Sequence, residues 1–193
     1  MAASRTTICS WALGSDVERF YHDTEWGVPL HDDRRLFEFV CLEGAQAGLS
    51  WRTVLNKRER YRAVFDDFDI ATCSRMTDNR IAALLLDPGI IRNRLKITSV
   101  RDNAVATLAA IDRFGSLDAF LWSFVDGTPI QSRWRSKGDV PATTIISDSM
   151  SKQMKKLGFR FVGSTICYAL MQATGMVNDH LVGCPRHYEC KNA

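Results

Sequence analysis

Residue types that bind metal ions are concentrated towards the end of the chain. Two histidines and two cysteines lie within eleven residues: His180, Cys184, His187 and Cys190. Thiolates and imidazoles at this spacing can hold zinc in a tetrahedral site. Spacing leaves three interpretations open. These four residues could form a local site, His180 and Cys184 could meet Cys9 and His22 in a long-range site, or the residues could be ordinary parts of the C-terminal segment.

A second concentration of chemistry is an acid among aromatic rings. Glu43 lies near the end of an otherwise apolar stretch, and the same part of the sequence contains Trp11, Tyr21, Trp26 and Trp51. Rings offer stacking and cation–π attraction, and a carboxylate accepts hydrogen bonds, so the set could bind a cationic or amino-bearing heterocycle. The alternative is a set of core aromatics with one surface acid. Gly44 and Gly48 indicate a helix end where backbone approaches something closely.

The third candidate is a turn at residues 87–96 (DPGIIRNRLK), which leads directly into a basic helix. Backbone N–H groups at a helix start attract phosphate, and basic side chains on the first turns add charge-assisted hydrogen bonds. A helix-hairpin-helix grips a DNA backbone in this way. The alternative is an ordinary helix connection with a solvated basic face. Further basic clusters at residues 52–62, 133–137 and 152–160 would suit a surface that follows phosphates, although most such clusters are simply solvated.

Helices must position these residues. Gly and Pro are absent from residues 49–87 and 90–114, and apolar residues recur there and over 36–41 at helical spacing. We predict a helix over about 34–46 and further helices over about 116–125, 147–157 and 163–176. Strand-like alternation is confined to 140–146 and 159–162, and residues 126–144 form the one long connector candidate. The expected class is mostly or wholly α, in one unit that could have two lobes.

Composition limits the function classes. The chain has 193 residues, of which 46% are hydrophobic, enough for one ordinary domain with its own core. Six cysteines are too sparse for a secreted disulfide scaffold, and we expect Cys41, Cys73 and Cys167 to be core residues. Residues 1–10 lack the apolar core of a signal peptide, and no window suits a membrane span. We therefore expect an intracellular, cytoplasmic protein with no membrane partner.

Charge is unevenly distributed along the chain. The net charge is +3, but residues 1–50 carry eight acidic and four basic residues, a net charge of −4, so the remainder carries +7. A polyanionic partner would therefore meet the later part of the chain.

These stretches resemble the 3-methyladenine DNA glycosylase I family, a divergent branch of the helix-hairpin-helix glycosylases. The similar segments follow the family order over about residues 9–184, and they are 21–29 (YHDTEWGVP), 36–38 (LFE), 41–44 (CLEG), 46–51 (QAGLSW), 89–94 (GIIRNR), 120–124 (FLWSF), 158–163, 165–168 (TICY) and 177–180 (VNDH). The resemblance implies one glycosylase domain over residues 1–193, all-α, with the helix-hairpin-helix at about 78–100. It also implies hydrolysis of the N-glycosidic bond of 3-methyladenine in alkylated DNA.

The resemblance favours the long-range metal site. It implies a structural Zn²⁺ that joins the two chain ends through Cys9, His22, His180 and Cys184, and it leaves His187 and Cys190 as bystanders. Four protein ligands would leave no open position for water.

The resemblance also implies roles in the base and DNA sites. Glu43 would accept hydrogen bonds from the edge of the flipped base and help electrostatically, with Tyr21 and Trp51 stacking and Trp11 nearby. Gly48 and Leu49 would intercalate where the nucleotide leaves the duplex. The phosphate anchor would be formed by Gly89, Arg92 and Lys96.

The chemistry that the resemblance implies is simple. N3-methylation makes the base cationic, so it can depart as a neutral molecule without a powerful general acid. This branch lacks the catalytic Asp of its superfamily, and neither Asp102 nor Asp112 is assigned that role. We expect a monomeric, monofunctional enzyme that acts on alkylated double-stranded DNA, releases free 3-methyladenine and leaves an abasic site without strand cleavage. The rivals are a DNA-binding module that senses alkylated bases, and a zinc-stabilised interaction protein.

Overall fold

Helices make up most of the structure, which confirms the predicted class. The computed structural model describes residues 7–192. The prediction that residues 1–10 lack a signal peptide therefore falls mostly outside the described residues. Within them, eleven α-helices are α1 (Asp16–Thr24), α2 (Asp33–Gln46), α3 (Trp51–Leu55), α4 (Arg58–Val64), α5 (Ile70–Ser74), α6 (Asp78–Leu84), α7 (Arg94–Phe114), α8 (Leu117–Trp122), α9 (Ile145–Lys156), α10 (Ser164–Ala173) and α11 (Pro185–Lys191). No helix in this range is both long enough and apolar enough to cross a membrane.

The remaining regular structure is short. Single 3₁₀ turns cover Ser10–Leu13, Asp66–Phe68, Ser123–Val125 and Lys137–Asp139. Two strands of two residues each, β1 (Ile130–Gln131) and β2 (Val177–Asn178), pair in parallel with Ile130 opposite Val177. The strand-like segments 140–146 and 159–162 form no strand; the first is loop that leads into α9. The connector 126–144 is confirmed as a long segment with little regular structure.

The helices that carry the candidate site begin at side-chain caps. Ser15, Asp32, Ser50 and Asn93 each accept a hydrogen bond from the backbone N–H three residues later, at the starts of α1, α2, α3 and α7. Such caps satisfy an N–H that the first helical turn leaves unpaired. Local sequence therefore fixes where these four helices begin, and with them the direction in which each one approaches the site.

Helix α2 is the centre of the molecule. Every residue from Leu36 to Ala45 is buried, and α7, α8 and α10 pack around this helix. A single hydrophobic cluster extends from Tyr21 to Val177 and includes the fully buried Phe37 and Phe39. Cys41, Cys73 and Cys167 are buried in the same cluster, as predicted.

A buried ion network joins α2 to α4. Glu38 accepts from Arg58 Nε at 2.7 Å and from Arg62 Nε at 2.8 Å, and Arg58 also donates to Glu25 at 2.9 Å. Burial acts to raise the pKa of Glu38, but the hydrogen bonds and charges of the two arginines outweigh burial and lower the pKa. Removing one partner of such a buried pair would leave an uncompensated charge, so the network holds the two helices in a fixed relation.

Candidate functional site

The acid and aromatic residues singled out in the sequence meet in one cavity. A cleft of about 400 Å³ opens between α1, the end of α2, the start of α3, α10 and the segment 137–142. Its lining includes Trp11, Tyr21, Glu43 and Trp51, with Trp26 beside them. These residues come from four separate stretches of sequence, and the cleft is large enough for a purine-sized ligand.

Glu43 is the most unusual group in this cleft. It lies on the last turns of α2, its exposed fraction is 3%, and its Oε2 has no hydrogen-bond partner in the part of the chain that the structure describes. Burial raises the pKa of Glu43 to about 8. The carboxyl group is therefore mostly protonated at neutral pH, because an apolar environment disfavours its charged form.

Two further buried polar atoms in the cleft lack partners. Tyr21 Oη and Trp51 Nε1 form no hydrogen bond to any described residue. Burial, with the charge of Glu43 adding to it, raises the pKa of Tyr21 well above its usual value, so the hydroxyl stays a donor. Buried polar groups in proteins are nearly always paired, so three unpaired groups around one cavity indicate a polar ligand.

Aromatic rings form the walls of the cleft. The rings of Tyr21 and Trp51 are 5.4 Å apart, those of Trp11 and Tyr21 are 6.3 Å apart, and Trp11 meets Trp26 edge-on at 5.0 Å. The rings pack against one another at tilted angles, and Trp11, Tyr21, Trp26 and Trp51 all line the cleft. A planar heterocycle with polar edges fits both the walls and the unpaired groups.

The rim contains residues to which the sequence assigned no role. Glu18 lines the cleft and pairs with Arg52 at 2.8 Å, and Lys137 lines it from the long connector. Tyr168, Gln172 and Asp179 complete the far wall. Tyr168 and Gln172 are four residues apart, so a helical interpretation of this segment places both on one face of α10. Nothing in the sequence showed that the connector with Lys137 would line the cleft.

A second cluster lies directly behind this cleft. The ligand atoms of Cys9, His22, His180 and Cys184 all lie within 4.8 Å of one another, and all four residues are buried. His22 Nε2 is 3.2 Å from His180 Nδ1 and 3.5 Å from Cys184 Sγ, and Cys9 Sγ is 3.8 Å from His180 Nδ1. Zn–N bonds of about 2.0 Å and Zn–S bonds of about 2.3 Å place tetrahedral ligands at these separations. The cluster could therefore hold a metal ion.

Neighbouring groups orient the two histidines towards the centre of the cluster. The outward nitrogens contact oxygen atoms: His22 Nδ1 is 2.7 Å from Asp23 Oδ1, and His180 Nε2 is 2.9 Å from the Trp26 carbonyl oxygen. Metal-binding histidines are usually held this way. A hydrogen bond from the Cys9 thiol lowers the pKa of Cys184 and favours the thiolate.

The local alternative for the metal site is not formed. His187 Nε2 bonds the Ser132 carbonyl oxygen at 2.7 Å. Cys190 is buried behind the cluster, near the Trp26 carbonyl, but it is not among the four converging residues. The cluster instead joins the two ends of the chain, with an additional bond from the Thr7 N–H to the Gly183 carbonyl at 2.9 Å.

The turn between α6 and α7 has the predicted position but uses its N–H groups internally. The Gly89 N–H donates to Asp87 Oδ1 at 2.7 Å, and the Ile91 N–H donates to Tyr61 Oη at 3.3 Å. A Cβ at Gly89 would lie 2.5 Å from Arg60 Cγ, so glycine is required for this close approach. Arg92, at the end of the turn, is exposed.

Lys96, in the first turn of α7, reaches back to α2. Its ammonium donates to the carbonyl oxygens of Ala45 at 2.8 Å and Ala47 at 2.7 Å, and desolvation lowers its pKa. Gly48 follows at a φ of +76°, and Leu49 projects with 42% of its surface exposed. Lys96 thus holds the α2 end from which Leu49 projects, and only its third N–H is left for another partner.

The basic cluster at 52–62 is largely paired within the protein. Arg52, Arg58, Arg60 and Arg62 contact Glu18, Glu38, Asp87 and Glu38 respectively. Lys57 donates to the Pro88 carbonyl at 2.8 Å. A sequence shows which residues are charged but not which partners they will have, so this cluster offers less to a phosphate backbone than its sequence indicates.

Comparison with known proteins is consistent across sequence and structure. A family model described as methyladenine glycosylase matches residues 11–187. The chain is 48% identical to DNA-3-methyladenine glycosylase 1 of Escherichia coli (strain K12) over 91% of this chain and 94% of that protein. It is 46% identical to DNA-3-methyladenine glycosylase of Haemophilus influenzae (strain ATCC 51907 / DSM 11121 / KW20 / Rd) over 93% of this chain and 97% of that protein. A structure on 3-methyladenine recognition by 3-methyladenine DNA glycosylase I from Staphylococcus aureus matches with a TM-score of 0.90 at 33% identity, covering 93% of this chain and 96% of that chain.

Proposed function

The chain belongs to the methyladenine glycosylase family, and we propose that it excises 3-methyladenine from alkylated double-stranded DNA. It is a hydrolase: it breaks the N-glycosidic bond, frees the base and leaves an abasic site. The observation that carries this function is the aromatic cleft with three unpaired buried polar atoms, on Tyr21, Glu43 and Trp51. A flipped methylated purine would satisfy both the rings and the polar atoms.

Recognition of the base is assigned to the residues of the cleft. Glu43 accepts hydrogen bonds from the edge of the base, Tyr21 and Trp51 stack on its faces, and Trp11 closes one side. Support comes from the burial of Glu43 in the cleft lining and from the presence of both the Tyr21 and the Trp51 ring in the same lining. The carboxyl group can release its proton when a cationic base enters, because the incoming charge favours the ionised form.

Departure of the base needs little acid catalysis. N3-methylation leaves the base positively charged. When the glycosidic bond breaks, its electron pair stays with the base, cancels this charge and lets the base leave as a neutral molecule. The cleft accelerates this step only if it binds the departing base and developing sugar cation better than the intact nucleotide. Glu43 therefore serves mainly in recognition, with electrostatic help to the positive charge.

We propose that strand cleavage does not follow. Lyase chemistry needs an amine nucleophile, and Schiff-base lysines are desolvated or next to another cation. Among residues 7–192, the cleft has one lining lysine, Lys137, and it is exposed at the rim. The expected product is an abasic site in an uncut strand.

The DNA grip is assigned to two neighbouring segments. Gly48 and Leu49 enter the duplex where the nucleotide leaves, since Leu49 is an exposed apolar side chain beside the cleft residue Gln46. Residues 78–100 act as a helix-hairpin-helix that anchors the backbone: Arg92 is exposed and can bind a phosphate, and Gly89, whose N–H is bonded to Asp87, shapes the turn that presents it. Lys96 contributes to the grip by holding the α2 end that carries Leu49.

The four-residue cluster is assigned to a structural Zn²⁺. Cys9, His22, His180 and Cys184 would be its ligands, and the donor set of two sulfurs and two imidazoles suits zinc in a closed tetrahedral site. The ion would supply cross-linking between the chain ends rather than chemistry. Cys9 also lines the cleft, so the metal would steady the wall that carries Trp11.

We propose that residues 1–193 form one glycosylase domain that acts as a monomer. One hydrophobic cluster connects residues from Tyr21 to Val177, which supports a single domain.

Release of free 3-methyladenine from methylated duplex DNA tests this function. We expect the wild-type protein to release the base and Glu43→Gln to release it about 10- to 100-fold more slowly, because a hydrogen bond to a charged group contributes about 1.5–3 kcal/mol. Glu59→Gln, at a carboxylate with 84% of its side chain exposed, is the control. A stable complex with no base release would identify a sensor of alkylated bases, and failure to bind DNA at any salt concentration would favour an interaction protein.

A further inference from the structure

A short segment between α9 and α10 is held in a strained conformation. Residues 157–163 connect the two helices, and within them Phe161 has a φ of +55°. Side chains rarely adopt this left-handed region, and a bulky residue there is an outlier. A simple connection would place glycine at this position, because glycine adopts the same φ without strain. Strained backbone is concentrated at active sites and ligand-binding segments, so Phe161 points to a function for this connection.

Two helices fix the backbone of this segment. On α7, the buried Asn103 accepts a hydrogen bond from the Arg160 N–H at 2.7 Å and donates one to the Arg160 carbonyl oxygen at 3.3 Å. On α2, Gly44 lies so close that a Cβ at this position would be 3.0 Å from Phe161 Cβ. The close approach expected at Gly44 from the sequence is therefore an approach to this segment.

The segment adjoins the elements assigned to the DNA grip. Phe161 contacts the end of α2, which Lys96 also holds and from which Leu49 projects. Asn103 follows Lys96 by about two turns of α7, on nearly the same face and about 10 Å further along the helix. Beyond the segment, Thr165 lines the cleft. Residues 159–162 are therefore next to both the proposed intercalating turn and the cleft.

Arg160 extends from this fixed backbone into solvent. Its side chain is 67% exposed, and its one ion pair among residues 7–192 joins its Nε to Asp102 at 3.7 Å. Asp102 also lies 3.9 Å from Arg101, so its charge is shared. Exposed pairs at such distances contribute little to stability. The guanidinium can therefore exchange Asp102 for a phosphate, which it can bind through two parallel hydrogen bonds.

The surroundings of Arg160 are basic. Lys152, Lys155 and Lys156 belong to the same basic cluster at residues 152–160 and are exposed. In the part of the chain that the structure describes, the cluster forms one ion pair, that of Arg160 with Asp102. The arginines of the cluster at 52–62 are instead paired within the protein. The cluster at 152–160 therefore leaves more positive charge available to a polyanion.

We propose that Arg160 binds a backbone phosphate of the alkylated DNA, so that residues 159–162 form a third segment of the DNA grip beside Leu49 and the hairpin. The inference rests on the proposed function of the cleft. Phosphate contacts set the position of a protein on a duplex. Because Asn103 and Gly44 fix the backbone at Arg160, the bound phosphate has a defined place relative to the end of α2 and the cleft beside it.

The salt dependence of DNA binding tests this contact. The full chain is titrated by fluorescence anisotropy against a duplex that carries one tetrahydrofuran abasic-site analogue, over a series of KCl concentrations. Each neutralised phosphate contributes about 0.9 to the slope of log affinity against log salt. We expect Arg160→Gln to reduce this slope by about 1 and to weaken binding about five- to tenfold at about 100 mM KCl. Arg160→Lys keeps the charge and is expected to keep the slope.

Arg113→Gln is the matched control. Arg113 is an exposed arginine on the same helix as Lys96, about 25 Å further along α7. Its replacement changes the net charge as much as Arg160→Gln does, and we expect the slope to stay at the wild-type value. The affinity of Arg160→Gln for free 3-methyladenine, measured by quenching of tryptophan fluorescence, is also expected to be unchanged, because Arg160 lies outside the cleft lining.

Phosphate-ethylation interference gives a second readout that locates the contact. One phosphate near the abasic site is expected to impair binding of the wild type when ethylated and to have no effect on binding of Arg160→Gln. An identical interference pattern for the two proteins would contradict a phosphate contact at Arg160.

The failures of the two proposals can be told apart. A wild type that binds the duplex with a slope equal to that of Arg160→Gln, or an equal reduction in Arg113→Gln, overturns the role of Arg160 alone. Failure of the wild type to bind the duplex at any salt concentration overturns the proposed function and the contact with it. A slope that falls in Arg160→Gln, returns in Arg160→Lys and is unchanged in Arg113→Gln supports the contact.

Discussion

Single residues in the cleft are kept in states that folding alone would not favour. Glu43 is buried without a partner for Oε2, and the unpaired Tyr21 Oη and Trp51 Nε1 lie around the same space. Each unpaired buried group costs roughly 1–3 kcal/mol. The protein therefore gives up stability at this site, and a ligand that pairs these groups recovers it.

Replacement of Glu43 should separate stability from activity. Folding raises the pKa of this group from its usual 4.5 to about 8. Between these pH values the unfolded chain is ionised and the folded protein is not, so wild-type stability falls by about 1.4 kcal/mol per pH unit on this account. Glu43→Gln has no such penalty. We expect its free energy of unfolding in urea, relative to the wild type, to increase by a few kcal/mol between pH 5 and pH 8.

The exposed Glu59→Gln variant is the control for this measurement, and it should show no pH-dependent gain. An equal pH dependence for wild type and Glu43→Gln would show that Glu43 ionises normally in the folded protein.

At the residue scale, the sequence showed which residue types could bind a ligand or a metal, but not which residues would lie next to them. The concentration of aromatics around Glu43 predicted a heterocycle site, and those residues do meet in one cleft. Spacing could not choose between two metal sites, because His187 and Cys190 have the same ligand chemistry as Cys9 and His22. Asp179 was not singled out, because nothing in its sequence context shows that it would line the cleft.

At the scale of elements, the end of α2 connects the cleft to the turn that we assign to DNA binding. Lys96, on α7, bonds the carbonyls of Ala45 and Ala47, while Glu43 and Leu49 lie on either side of this contact. Cations are favourable at helix C-termini, where carbonyl groups are unpaired. The contact fixes Glu43 and the exposed Leu49 relative to the first turn of α7.

Lys96→Met should disturb this joint without removing a phosphate contact. We expect slower base release from duplex DNA, while the dependence of log affinity on log salt keeps the wild-type slope. Arg92→Met is the comparison and should reduce that slope by about 1, since the slope counts neutralised phosphates. A similar reduction in Lys96→Met would show that Lys96 itself contacts the backbone.

Gly175 joins α10 to β2 and should tolerate no side chain. Its φ is +73°, and a Cβ there would lie 2.3–2.5 Å from backbone atoms of Val28 and Pro29. We expect Gly175→Ala to lower the free energy of unfolding in urea by more than about 3 kcal/mol. Gly115, at a φ of +92° with no described atom within 4 Å, is the matched control, and Gly115→Ala should cost only about 1–2 kcal/mol. Equal losses would show that the contact at Gly175 relaxes.

Helices were predictable because their signals are local. The predicted segments 34–46, 147–157 and 163–176 correspond to α2, α9 and α10 within a few residues. Strands were misplaced because β1 and β2 are two residues long and their pairing joins Ile130 to Val177, a contact with no local signature. The alternating apolar residues at 140–146 do not form a strand, and Val140 lines the cleft instead.

At the scale of the whole molecule, Cys9, His22, His180 and Cys184 bring the two ends of the described chain together. We expect the purified protein to contain about one zinc per chain and Cys9→Ser to lose the zinc and melt at a lower temperature, because binding free energy at a structural site contributes to folding. Cys190→Ser is the control, since Cys190 lies beside the cluster but outside it. Elemental analysis and thermal unfolding measure both. Zinc lost from Cys190→Ser and retained in Cys9→Ser would place the metal elsewhere.

The overall charge pattern was only partly informative. The net charge of −4 over residues 1–50 agrees with a cleft that contains Glu18 and Glu43. The third carboxyl of the cleft comes from Asp179, in the basic remainder of the chain. Much of the positive charge at 52–62 forms ion pairs within the protein. The sequence shows which charged side chains the protein has, but the fold determines which of them stay unpaired on the surface.

The separation of the ligands also has a consequence for protein synthesis. His22 and His180 are 158 positions apart, and synthesis proceeds from the N-terminus. A nascent chain therefore exposes Cys9 and His22 as half a site throughout most of translation, and it cannot close the centre until Cys184 has emerged. A ribosomal product that stops before Cys184 lacks at least one of the four residues and could not complete the site.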